Sequence, residues 1–147
     1  MIKIILANFI FAQADKEVID IYQAIFGMEK KVIVADFLKL EQNDPFWELY
    51  DAYETERKEL GHERIQLMRE FMDKYSALSE EKATSIVKKA IAKRKELDMI
   101  IEKYYWKIHN TSGAKVAAQF YQIENFFLSA SRMKVFSTLP FIVNVED

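Results

Sequence analysis

An all-α fold is predicted by three features of this chain: apolar stripes at helical spacing, start and stop signals that bracket them, and a scarcity of turn residues. Only three Gly and two Pro occur in 147 residues, too few for the tight turns of a β-sandwich or for Gly-rich phosphate loops. Half of the residues are hydrophobic and 14% are aromatic, so one domain can bury a core without disulfides or metal. The predicted architecture is an elongated antiparallel helical hairpin, with a third, C-terminal helix packed back on it and short N-terminal helices.

The chain opens on Lys3, the apolar run IILANFIF and then Ala12-Gln13-Ala14, which puts small residues where a signal peptidase reads them. Residues 1–14 therefore read as a cleaved export signal, residues 15–147 as a single helical domain, and the location as periplasmic or otherwise exported. The competing reading makes residues 4–11 a buried segment of a cytosolic protein. Cysteine is absent, which excludes disulfides, thiolate nucleophiles and Cys-ligated zinc but fits either compartment.

Residues 15–27 and 29–40 read as two short amphipathic pieces, with Gly27 as the break between them. Asn43-Asp44-Pro45 is a start signal, an acidic cap followed by Pro at the first helical position, and its helix is predicted to run to about residue 78. Ser79-Glu80-Glu81 opens the next, predicted to run to about residue 109 before Asn110-Thr111-Ser112-Gly113 breaks it. A last helix over about 114–138 is stopped by Pro140. At 1.5 Å per residue the two central helices are each roughly 45 to 50 Å long.

The first long helix carries a heptad-like seam through Phe46, Tyr50, Tyr53, Arg57, Leu60, Arg64, Leu67 and Phe71, and the second through Ala83, Val87, Ala90, Arg94, Leu97, Ile101, Tyr104 and Ile108. Three arginines thus lie inside apolar seams, with Asp98 on the edge of the second. Folding the hairpin at Leu78-Ser79 sets Arg57 opposite residues 98–101 and Arg64 opposite Lys93 or Arg94. Folding the last helix back about Asn110 and Thr111 sets Glu124 level with Leu97 and Asp98. On that helix Glu124 flanks the stripe Val116, Phe120, Ile123 and Phe127. The expectation is an interior ionic cluster of Arg57, Arg64, Arg94, Asp98 and Glu124. Its role would be to fix register, because desolvation offsets most of the attraction within a buried ion pair. The competing reading has each arginine lay its stem on apolar neighbours and reach water with its head.

Catalytic chemistry finds little to stand on. A formal charge of −2 gives no field that draws nucleic acid or an anionic membrane, and no run after the N-terminus is long enough to span a membrane. His62 and His109 are the only histidines and fall far apart along the hairpin, so they share no metal. Di-metal bundle sites need inward Glu-x-x-His motifs, which the two seams do not supply. Asp51 with Glu54, and Glu80 with Glu81, read as solvated faces or a negative first turn. The chain reads as non-enzymatic, with no cofactor and no metal.

Size, the long hairpin, the leader and "LSEEK" at residues 78–82 together resemble the Spy/CpxP superfamily of small periplasmic helical proteins, whose signature is Leu-Thr-x-x-Gln. Ser79 stands in the Thr place and Lys82 in the Gln place. The stretches "FWELYDAYETERK" at 46–58 and "AAQFYQIEN" at 117–125 are similar to an uncharacterised exported bacterial group related to that superfamily. The resemblance implies a stress-related binding or chaperone-like module, or a regulatory or scaffold module that binds an envelope or sensor protein. In the first case an open face bearing Tyr50, Tyr53, Arg57, Arg64, Met68, Met72 and Tyr75 meets unfolded clients. In the second the arginines are sequestered by Glu124 and Asp98. Tyr and Met at helical spacing are also ordinary core residues. Trp47, Trp106 and Phe126 fall off the main seam and offer apolar surface for a homodimer.

Overall fold

A computed structural model describes residues 29–142. The leader expected at 1–14, and the helix expected at 15–27 with its break at Gly27, lie outside the described residues. Those described form four helices, α1 (Lys30–Leu38), α2 (Phe46–Lys74), α3 (Glu80–Ser112) and α4 (Ala114–Thr138), with a 3-10 turn at Tyr75–Ala77 and no strand.

The punctuation works as read. Asp44 Oδ1 accepts a hydrogen bond from the Phe46 N–H at 2.9 Å, beside Pro45, whose φ of −56° is already helical. Ser79, in extended backbone, caps α3 by accepting from the Lys82 N–H at 3.2 Å, and Glu80 and Glu81 follow in the first turn. α2 ends four residues earlier than expected, because the chain tightens into the 3-10 turn before Leu78.

α2 and α3 form the antiparallel hairpin, zipped along its length by Tyr53 edge-on to Tyr104 at 5.6 Å, by Glu63 with Lys93 and by Glu70 with Lys82. α4 packs back along α3, and α1 lies against α4. α2 and α4 meet through large side chains: the Phe120 ring sits 5.0 Å from Tyr53 and 6.4 Å from both Tyr50 and Phe46. One core links all four helices, from Val34 and Leu38 through Phe46, Tyr50 and Tyr53 to Ile101, Tyr104, Phe120 and Phe127.

Two expectations need correction. α3 continues through Asn110 and Thr111 to Ser112, and the reversal falls on Gly113 at φ 92°, whose N–H bonds back to the His109 carbonyl. Only glycine takes that conformation cheaply. The later turn slips α4 along α3, so that Tyr121 meets Tyr105, and Glu124 moves about five residues, roughly 7 Å, away from the level of Asp98. The second correction concerns the seams, which close only in the half of the hairpin near Gly113. Toward the Leu78 turn Val87 and Ala90 are exposed, Arg64, Leu67 and Phe71 are half-buried, and the buried positions are Ile65, Met72 and Ile86. A straight helix drifts against a seven-residue repeat, and α1 covers only the other half of the α2–α4 gap.

Gly61 lies in the middle of α2, where glycine costs about 1 kcal/mol relative to alanine. A Cβ built there meets nothing within 4 Å. Gly61→Ala is therefore expected to raise stability by about 0.5–1 kcal/mol in urea unfolding; a loss of stability would contradict the open space drawn beside it.

Candidate functional site

The gap between α2 and α4 contains two sites of opposite character. At the α1 end it is filled by a closed polar node. Lys30 Nζ donates to Glu124 Oε2 and to Glu54 Oε1, each at 2.7 Å. Tyr53 donates to Glu124 Oε2 at 2.7 Å and Tyr50 to Oε1 at 3.2 Å. Arg57 completes the set with two 2.8 Å bonds that fork onto both oxygens of Glu54. Glu124 is fully buried and Lys30 is 8% exposed. The ammonium also lies 5.4–5.7 Å from the ring centroids of Phe127, Tyr53 and Tyr50, so the rings assist in replacing its water.

Among the described residues no buried side-chain polar atom lacks a partner, as a low-dielectric interior demands. Burial pushes the Glu54 carboxyl up, but the Arg57 hydrogen bonds and the Lys30 charge outweigh it and hold the group at about 2. Burial, then the neighbouring Glu124 charge, pushes the Tyr50 and Tyr53 hydroxyls well above the usual phenol range. They therefore remain protonated donors. Glu124 and Lys30 are enclosed and only Arg57 of the node reaches the neighbouring groove, so the work of the node is to seat α1.

Of the expected ionic cluster, Glu124 and Arg57 thus belong to the node, but not through the partners expected. Glu124 is buried and neutralised, but the cation on it is Lys30 of α1. Arg57 joins through Glu54, within α2. Arg94 and Asp98 are exposed on α3, because the slipped register carries Glu124 past their level. Lys30 escaped the sequence reading, although Lys30, Val34 and Leu38 form a buried stripe at spacings of four, and a lysine inside such a stripe asks for a buried acid. The expected client surface is corrected as well. Tyr50 and Tyr53 are core residues, 1% and 0% exposed, since the seam turns them toward Phe120. Met72 is buried and Tyr75 half-buried against Phe71. Met68 does line an open surface. Trp47 is half-buried and anchored by its indole N–H to the Glu41 carbonyl at 2.9 Å, whereas Trp106 and Phe126 are exposed. His62 is exposed and His109 lies against Tyr105 and Trp106.

At the Leu78 end the same gap stays open as a groove of about 770 Å³. Leu60, Leu97 and Leu128 line its deep end; Phe71, Ile86 and Phe136 lie toward the hairpin turn, and residues 139–142 border it. Arg64 of α2, Arg94 of α3 and Arg132 of α4 all line it, and no acidic side chain does so among the described residues. Burial, then the charges of Arg132, Arg57 and Arg94, pull the Arg64 guanidinium below its usual value. A half-buried cation among like charges is an arrangement that an anion relieves. Among the described residues there is no group of three or more potential metal ligands and no helix long and apolar enough to cross a membrane.

Lys30→Met should leave Glu124 enclosed without its cation, costing about 3–5 kcal/mol and roughly 10 °C in melting temperature. Glu124→Ala should cost a similar amount, Glu102→Ala on the exposed face almost nothing, and Lys30→Met with Glu124→Leu should recover most of the loss; equal small shifts throughout would contradict the node. The folded Glu54 carboxyl lies below its ordinary 4.5, at about 2. Its contribution is therefore present above about pH 4.5 and disappears as the pH falls toward 2, on the order of 3 kcal/mol. Glu54→Gln should flatten this acid limb in unfolding measured from pH 6 to 2, and an unchanged slope would contradict the assignment. Compared with known proteins, the chain matches no family model, no curated protein and no solved structure.

Proposed function

We propose that this chain is a non-enzymatic, exported binding protein of the chaperone-like kind, whose working surface is the open α2–α4 groove. The observation that carries the reading is the unfinished half of the hairpin. Val87 and Ile91 are each 51% exposed and Phe136 65%, on the faces where a closed bundle would bury them. An apolar surface of this sort, flanked by arginine, suits the side chains of an unfolded client. The export component rests on the leader-like residues 1–14, and the stress-related component on the LSEEK resemblance.

The alternative, a regulatory or scaffold module for an envelope partner, drew its force from arginines sequestered by Glu124 and Asp98. With Glu124 held by Lys30 and Asp98 exposed, that support falls away, and the open-groove reading is preferred. At equimolar amounts the protein is expected to suppress aggregation of a chemically denatured client, and Arg64→Glu with Val87→Asp to lose most of that suppression while keeping the helical circular dichroism spectrum. Client aggregation unchanged by the wild-type protein would remove the chaperone reading.

A further inference from the structure

Arg64, Arg94 and Arg132 come one from each of the three long helices and line one groove. None of the three makes an ion pair or hydrogen bond with a described residue. The contrast with the node is informative, because there each buried charge has a geometric partner at 2.7–2.8 Å. The groove spends the desolvation of a guanidinium and receives no anion from the described residues in return. Guanidinium groups present paired N–H donors that match a carboxylate in a bidentate fork.

The walls restrict the rest of the ligand. Beyond the charged heads, the lining is aliphatic and aromatic, with Ser131 its single uncharged polar side chain among the described residues. A hydrocarbon chain needs no hydrogen-bond partners, whereas a polypeptide backbone laid inside would lose water without replacement. The volume of about 770 Å³ falls within the range of small-molecule sites, about 300–1,000 Å³. From the level of Arg64 to that of Phe71 the apolar wall of α2 runs for about 10 Å, and residues 139–142 extend it. A symmetric second copy fits poorly, since a two-fold interface would set one arginine group against the other.

We propose that the groove binds a free fatty acid of medium chain length, with its carboxylate among Arg64, Arg94 and Arg132 and its chain along the apolar walls. This goes beyond the chaperone reading and shares with it only the groove as the working surface. The fatty acid would compete with client side chains for the same walls.

Isothermal titration with dodecanoate, 1-dodecanol and dodecyltrimethylammonium, each below its micellar concentration, tests the assignment on the full chain. Dodecanoate should bind stoichiometrically, at least tenfold more tightly than the alcohol, and the cation should not bind. Arg64→Gln with Arg132→Gln should bring dodecanoate down to the level of the alcohol. Gly61→Phe, which fills the groove from a position with open space, should abolish both while preserving the helical spectrum. Equal affinity for acid and alcohol, undiminished binding in the double arginine variant, or a concentration-dependent dimer that Gly61→Phe dissociates would each overturn the fatty-acid assignment. Loss of aggregation suppression with intact dodecanoate binding would strike the chaperone reading alone, and the converse would strike the ligand alone.

Discussion

The pairing of Lys30 with Glu124 is the constraint on which the remaining architecture depends. α2 and α4 both pack on α3, and something must fill the space between them. At one end that filling is α1, a helix of nine residues, too short to be stable alone in water. Its position is set by one ammonium that enters the core and finds two carboxylates and three aromatic rings. A buried ion pair contributes little net stability compared with an apolar replacement, but it penalises every arrangement that separates the partners. The node thus selects the place of α1 between α2 and α4, more than it strengthens their packing.

At its other end the same gap is filled by none of the described residues. Near Gly113 the seam residues of both hairpin helices are buried, and each interior charge is matched. Near Leu78 the seams continue in sequence, yet Val87 and Ile91 stay exposed along the groove and Arg64 is left among Arg57, Arg94 and Arg132. Among the described residues, one end is a completed core and the other is left open. Under the proposed function, the setting of helix positions and binding are therefore assigned to opposite ends of one molecule, and a substitution in the groove need not disturb the node. Arg57 is the exception, since it lines the groove and also holds Glu54; a change there would mix the two effects.

Much of the helical layout was legible because its signals are local. Asp44-Pro45, Ser79 with its acidic first turn, and Pro140 act within a few residues, and the corresponding helix ends lie within a few residues of where they were expected. Glu124 was legible as a buried acid because it interrupts an aromatic stripe. Its partner was not, since α1 reaches Glu124 across 94 positions of sequence and no periodicity reports such a contact. The arginine cluster failed for a small local reason: the helix passed through Asn110 and Thr111 before Gly113 turned it, and a slip of about five residues separated groups that the hairpin register had set side by side. Tyr50 and Tyr53 follow the ordinary rule that aromatics at helical spacing are core.

The most direct test of the account is the solution behaviour of the Lys30 ammonium. In ¹⁵N-lysine spectra, enclosure by Glu124, Glu54 and three rings should make its protons exchange slowly enough to be seen, with cross-peaks to the Tyr53 and Phe127 rings, while the exposed lysines remain unseen. A Lys30 ammonium that exchanges as fast as theirs would show that α1 does not insert its charge between α2 and α4, and the division of the gap into a closed and an open half would fail with it.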